Sequence, residues 1–521
     1  MKENKSLVLM LTKIPNKVLF VLAAICTLIT GSCIAAGNIN EAKMTHGLTK
    51  DLLITEVIIL IALLILEMLF MNIKKIYEKK VKNEAYVKYF NQVFNSKVDS
   101  INKVSSGKIF DAVKELAAFE SDAKLMILMM MPSAIPLMTL LYKEFKYKPI
   151  IAVITIASLI LSSLIIIIGE TKFKWSDEAA KKKAVLQGIT ADNFINIRTM
   201  KFLNIGKYAN DRREKAYRES LPYTVSIGRI IYINSVNVIR YIQLILALLL
   251  SKDNVEMLAF IILSNYTINN VSGIIIDYTL MIVETKAQRK VLADLKGDDI
   301  SDKPIIDKDI TLKDVVFAYT DEKGKETHQF HAENLVFKFK ERTLITGESG
   351  EGKSSLANML SGLIVPSVGE VPLYDTFYIW QETETLDDTL WHNIVFDNKY
   401  NVSKDEVLQL FKELNMLEWF LNELKDGFET LVGERGCKLS SGQKQRINII
   451  RLILEMRYNP SKLFIIDEIT SNLDNETRAL AIDLINRNCD STLICISHNE
   501  GFDKICEHHI EVKNHRFTQI K

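Results

Sequence analysis

Residues Gly347-Glu348-Ser349-Gly350-Glu351-Gly352-Lys353-Ser354-Ser355 form a glycine-rich loop that closes on a lysine and two serines. A strand-like apolar run, Thr343 to Thr346, precedes it, and a helix-like run, Leu356 to Leu360, follows. Strand, glycine loop, Lys-Ser and helix make up a phosphate-binding P-loop. Its backbone N–H groups turn inward around phosphate oxygens, and the helix N-terminus adds partial positive charge. On this reading Lys353 reaches the β- and γ-phosphates and Ser354 ligates Mg²⁺. The competing reading is a chance glycine-rich turn, and the full G-x-x-x-x-G-K-S match in this setting argues against it. Farther on, Lys462-Leu463-Phe464-Ile465-Ile466 reads as an apolar strand that ends in Asp467 and Glu468. Asp467 is placed to hold Mg²⁺ and Glu468 to orient and polarise an attacking water. These elements specify a nucleoside triphosphate but leave kinases, GTPases and many other enzymes open.

The elements that position this chemistry divide the chain unevenly. Its 521 residues are enough for about three domains, and 48% are apolar, but nearly all long apolar runs fall before residue 290. Six stretches approach the ~20 apolar residues a membrane helix needs: 18–36, 52–73, 125–142, 150–169, 233–250 and 258–283. The first resembles a signal peptide, but a second span follows closely, which favours an uncleaved helix. Span three carries Pro132 and Pro136 and has the weakest helix pattern of the six. Lysines before span one (Lys2, Lys5, Lys13, Lys17), after span two (Lys74, Lys75, Lys79) and after span six (Lys286, Lys290) fall on one side, which is then the cytoplasm. Lys143, Lys146 and Lys148 break this rule. Segments 74–124 and 170–232 are helix-patterned and long enough to project from the bilayer as hairpins. Polar residues inside spans are functional candidates: Glu56 and Glu67 on span two; Asn234, Asn237, Arg240 and Gln243 on span five; Ser264, Asn265, Thr267, Asn269 and Asn270 on span six. They line a polar cavity for cargo, or they bond one helix to the next. Arg240 is the sharpest candidate, since an unpaired arginine in lipid is costly.

Segment 295–309 is charged and aperiodic and reads as a linker. From Ile310, strand-like and helix-like runs alternate, as in an α/β domain. A net charge of +1 gives no electrostatic case for a nucleic-acid partner. Cys26, Cys33, Cys437, Cys489, Cys495 and Cys506 form no CxxC pair and read as reduced thiols. A zinc site from Cys506, His508 and His509 is the alternative to ordinary surface residues near the C-terminus.

Leu439-Ser440-Ser441-Gly442-Gln443, ahead of a helical run, resembles the ABC signature, usually written LSGGQ, with Ser441 in place of the first glycine. The chain thus resembles an exporter-type ABC transporter half. That implies a six-helix transmembrane domain over 1–294 with long cytoplasmic helical extensions, a linker, and an α/β P-loop ATPase domain over 310–521. The resemblance assigns Tyr319 to adenine stacking, Gln381 to a glutamine loop that senses Mg²⁺, and His498 to the γ-phosphate. Gly433-Glu434-Arg435-Gly436 matches an exporter loop, and Ser471-Asn472-Leu473-Asp474 resembles the SALD loop, with Asp474 at the nucleotide site. It also implies coupling helices near Gly107 and Asp192. ATP and Mg²⁺ are the implied cofactors, with Ser354, Gln381 and Asp467 at the metal. ATP lies between the P-loop of one subunit and the signature of another. The partner is therefore a second copy or a related half-transporter, in a bacterial or plasma membrane with the ATPase domain in the cytoplasm. The implied function is ATP-driven export of a peptide, lipid or amphiphilic drug by alternating access; the alternative is an ATP-gated, channel-like protein that moves nothing uphill. The sequence departs from the family in three places. Ser441 adds a side chain where backbone must approach phosphate. Only about 28 residues separate Lys353 from Gln381, which points to a reduced β-subdomain around Gly362 to Phe377. Glu455 to Lys462 forms an extension.

Overall fold

A computed structural model describes residues 15–45, 47–97, 100–101, 104, 106–172, 175–224, 227–295, 297, 303–320, 326–381, 385–433, 436–498 and 501–520. At 169–172, 175–180, 184, 195, 198, 223–224, 227–233, 283–284, 319–320 and 326–328 the description covers the backbone alone. Lys2, Lys5, Lys13, Glu434 and Arg435, all named above, lie outside the described residues. The chain separates into two compact units, Met1–Asp298 and Asp299–Lys521.

The first unit is built of helices: α1 (Asn16–Met44), α2 (Lys50–Phe94), α3 (Ser106–Tyr147), α4 (Pro149–Lys172), α5 (Trp175–Ile195), α6 (Ile197–Phe202), α7 (Gly206–Thr224), α8 (Ile227–Leu250), α9 (Val255–Glu284) and α10 (Lys286–Asp294). Among the described residues, five helices are long and apolar enough to cross a membrane. The fifth of the six expected spans falls on α8, whose apolar stretch with described side chains runs over Asn234–Leu250. Spans two and three are continuous with their extensions, because no proline or glycine lies at either junction, 74–94 or 108–124. At 1.5 Å per residue the 45 residues of α2 reach roughly 68 Å. Pro132 and Pro136 lie inside α3 without ending it. Gly31 of α1 packs against this site: a Cβ there would stand 3.1 Å from the Pro132 carbonyl oxygen, so glycine permits the close approach. Two of the three lysines that broke the charge rule have local uses. The Lys148 ammonium donates to the Leu250 carbonyl at 2.7 Å, and Lys143 lies 5.5 Å from the Phe260 ring centre. The second extension turns at α6, five residues past Asp192, which itself lies within α5 and pairs with Arg212 at 2.8 Å.

In the second unit β1 (Ile310–Leu312), β2 (Val315–Thr320), β3 (Glu326–Ala332), β4 (Leu335–Phe337) and β5 (Arg342–Gly347) lead into α11 (Lys353–Leu360). There follow β6 (Thr376–Ile379), α12 (Leu390–Val395), α13 (Lys404–Glu413), α14 (Leu417–Glu423), α15 (Ser441–Tyr458), β7 (Leu463–Asp467), α16 (Asn475–Asn488), β8 (Leu493–Ile496), β9 (His508–Lys513) and β10 (Arg516–Gln519). Eight strands form one sheet in the order β2-β3-β10-β9-β5-β8-β7-β6, and β1 pairs with β4 alone. β5, β8, β7 and β6 run parallel. Every residue of β7 and β8 is buried, as expected of strands covered on both faces. No strand occurs between α11 and β6, and Val368 makes only an isolated bridge to Val316, so the region 361–375 is short of sheet. The extension prolongs α15 to Tyr458, whose ring stacks on Tyr400 at 5.1 Å.

Arg451 fixes α15 to α12. Its Nε donates to the Asn393 carbonyl at 2.6 Å, its fork reaches the Asn448 amide oxygen at 2.8 Å, and its head lies 5.0 Å from the Phe396 ring centre. Burial pulls the guanidinium down to about 10. Arg451→Ala removes the charged donor from the Asn393 carbonyl in the interior. It should cost about 2–3 kcal/mol, read as a lower thermal midpoint of the full chain in detergent.

Candidate nucleotide site

The site is assembled at the C-terminal ends of parallel strands, where α/β sheets place their ligands. Ile345 of β5 is level with Ile496 of β8, and Ile496 is level with Asp467 of β7. Ile379 of β6 is level with Ile466. The loop after β5, the acids ending β7, Ser497-His498 after β8 and Gln381 after β6 therefore emerge along one edge.

The glycine loop has the backbone the pattern demands. Gly347, Gly350 and Gly352 have φ of +151°, +88° and +99°. A Cβ on Gly352 would fall 2.1 Å from a Phe330 ring carbon. The Lys353 ammonium donates to the Gly347 and Glu348 carbonyls, both at 2.7 Å, and so crosses its own loop. Burial holds it below the usual lysine range, against the pull of Glu468, Asp467 and Glu351. The Ser354 hydroxyl donates to an Asp467 oxygen at 2.6 Å. Burial pushes the Asp467 carboxyl up, Ser354 draws it down, and Glu468 pushes it up. The Ser354–Asp467 oxygen pair is the hard donor set that Mg²⁺ requires. Glu468 follows in the left-handed region, with φ +50°. Its carboxylate accepts from the Gln381 amide at 2.9 Å and stands 3.6 Å from the His498 ring. Gln381, Glu468 and His498, far apart in sequence, thus converge on one carboxylate.

The other expected positions are placed as follows. β2 carries position 319, but the Tyr319 side chain lies outside the described residues. Ser440 and Gln443 form a reciprocal capping box at the start of α15, with bonds of 3.2 and 2.8 Å. Gly442 lies where a Cβ would meet the Asn472 carbonyl at 3.4 Å. Asp474 caps α16 by accepting from the Thr477 N–H at 2.9 Å, which lowers its pKa. Ser355 is buried on α11, and Glu348 and Ser349 sit in the loop turn. Cys506, His508 and His509 do not converge: Cys506 is buried in the core rather than at the surface, His508 meets Glu341, and His509 meets the Thr346 hydroxyl at 2.6 Å. No group of three metal-ligating side chains occurs among the described residues.

Three sets of contacts escaped the sequence reading. The Tyr378 hydroxyl lies 3.5 Å from Asp467, and burial raises its pKa well above the usual range. The buried Gln445 bonds both Ser471 and the Asn472 N–H at 2.9 Å, tying the signature helix to the segment before α16. The Glu351 carboxylate accepts from the His515 N–H at 2.6 Å and so anchors the glycine loop to the β9–β10 turn. Asn514 and His515, with φ of +49° and +63°, match the two left-handed centres of a type I′ hairpin turn. Asn at that turn was the one legible signal.

Residues 330–471 match the ABC transporter family. The ATP-dependent lipid A-core flippase of Francisella novicida is 33% identical over 221 residues, 38% of this chain and 35% of the flippase, so the match spans about a third of that relative. A probable ABC transporter ATP-binding/permease protein of Haemophilus influenzae is 27% identical over 384 residues, covering 66% of this chain and 67% of that protein. A solved bacterial Atm1-family ABC exporter with ATP bound shares the fold, with a TM-score of 0.76 over 96% of this chain and 94% of that one at 17% identity. The second unit is therefore an ABC transporter ATP-binding domain. With the helices ahead of it, the chain has the fold of an ABC exporter, a multi-span membrane domain and an ATP-binding domain fused in one polypeptide.

Gly352→Ala places a methyl inside the Phe330 ring contact and forces a side chain into a left-handed backbone. Binding of a fluorescent ATP analogue should weaken by about tenfold or more; unchanged binding would show that this loop does not hold the phosphates.

Proposed function

We propose that the chain is one half of an ATP-driven exporter. It acts as a dimer in the cell membrane and hydrolyses ATP with its cytoplasmic domain. The observation that carries this reading is the convergence of Lys353, Ser354, Asp467, Glu468, Gln381 and His498 on one sheet edge of a chain that also bears membrane-length helices.

Lys353 meets the β- and γ-phosphates from within the loop. Ser354 and Asp467, with Gln381 as the third candidate, would hold Mg²⁺, which when bound neutralises phosphate charge. Glu468 orients and polarises the attacking water, Gln381 and His498 hold its carboxylate in place, and His498 also faces the γ-phosphate. Tyr319 stacks on adenine. Ser440, Ser441, Gly442 and Gln443 of a second subunit close the site. The capping box supports this role by presenting the Ser440 hydroxyl at a helix N-terminus. Every catalytic position is filled, so two identical copies suffice; a related half-transporter is the other pairing. Dimer closure, transmitted through coupling segments near Gly107 and Asp192, drives alternating access through differential affinity for the two states. The domain limits are 1–294, 295–309 and 310–521. The lipid A-core flippases among the relatives support an amphiphilic cargo: a lipid, peptide or drug-like molecule.

Glu468→Gln should cut phosphate release in vesicles about a hundredfold while ATP still binds; undiminished release would remove Glu468 from its role. Uphill, ATP-dependent movement of a dye or labelled lipid in the same vesicles separates an exporter from an ATP-gated channel. Ser441→Gly restores close backbone approach and should raise turnover; an unchanged rate would mean that Ser441 does not impede closure.

A further inference from the structure

Arg240 lies near the middle of the apolar stretch of α8 and is only 8% exposed. Its guanidinium donates to the amide oxygens of Asn237 at 3.0 Å, Asn265 at 3.4 Å and Asn269. All three acceptors are neutral. Its Nε, also buried, has no hydrogen-bond partner among the described residues. Among the described residues no carboxylate forms an ion pair with Arg240. Glu144, the one buried carboxylate described in this unit, accepts instead from the Ser264 hydroxyl at 2.7 Å. The surroundings are fixed in turn: the Asn265 amide donates to Gln243 at 3.0 Å, and Gln243 donates to Thr155 of α4 at 3.3 Å.

A cation at membrane depth is expensive unless it is paired or faces a water-filled cavity. Helix packing alone does not require a charge here, since a glutamine or asparagine could bridge the same amide oxygens without desolvating one. The site therefore has a positive charge and an unused donor, three amides that orient it, and no counter-charge of its own. It is also reachable, because Asn269, which touches the guanidinium, is exposed along with its neighbours Tyr266 and Asn270. We propose that Arg240, with Asn265 and Asn269, is an anion-recognition site of the membrane domain, and that the cargo carries a carboxylate or phosphate which supplies the missing counter-charge. This rests on the exporter reading and narrows its cargo to anionic amphiphiles.

The test uses the full chain in phosphatidylcholine nanodiscs with 11-(dansylamino)undecanoate and its methyl ester as fluorescent probes. The carboxylate should bind about tenfold more tightly than the ester, and dodecyl phosphate but not dodecanol should displace it. Displacement by added phosphatidylglycerol as well assigns the anion to a lipid headgroup; displacement by dodecyl phosphate alone assigns it to a free amphiphile. Arg240→Gln should erase the preference, and Arg240→Lys should keep part of it. Asn269→Asp supplies an internal counter-charge and should also erase the preference while the protein stays folded, so it decides the matter if Arg240→Gln does not fold. Equal binding of the two probes to the unaltered protein, or full preference in a folded Arg240→Gln or Asn269→Asp variant, would overturn the proposal. Binding needs no ATP turnover. A normal anion preference beside absent ATP-driven transport would count against the exporter reading and not against the site.

Discussion

The parallel register of β5, β8, β7 and β6 is the constraint on which the ATP-binding domain depends. Because Asp467 is level with Ile496 and Ile466 with Ile379, four loops widely separated in sequence leave the sheet at one edge. A slip of one residue would turn the alternating side chains to the opposite face. The completely buried faces of β7 and β8 forbid that slip, so the core that stabilises the sheet also sets the spacing of Ser354, Asp467, Glu468 and His498.

Charge is placed in two different ways in the two units. In the nucleotide site, opposite charges share one buried pocket: Lys353 is drawn down and Asp467 pushed up by the same desolvation, and each moderates the other. In the membrane unit, Arg240 is surrounded by neutral amides, and no such moderation occurs among the described residues. The first arrangement suits a site that binds a polyanion together with a metal. The second suits a site that takes an anion alone.

Much of this was legible in one dimension. The glycine loop, the acids ending β7, the signature and the apolar spans are local patterns, and local geometry follows from them directly: a P-loop needs glycine at positive φ, and an apolar strand followed by acids needs burial and then an exit. Other features depend on partners distant in sequence. The prolines of span three gave the weakest helix pattern, and Gly31 of α1 packs against them within a continuous helix. The partners of Lys148 and Lys143, the Leu250 carbonyl and the Phe260 ring, lie more than a hundred residues away. Cys506 looked like a surface thiol beside two histidines until the sheet buried it and sent each histidine to a different partner.

The sequence by itself determined which chemical groups are present and the backbone each local motif adopts, because those depend on neighbours a few residues apart. Only the tertiary structure decided which groups meet. Gln381 joins Glu468, Tyr378 reaches Asp467, Glu351 is anchored by the His515 turn, and Arg240 is surrounded by amides without a carboxylate. These are contacts across strands and helices, set by register and packing over the whole domain, and no local period or motif encodes them.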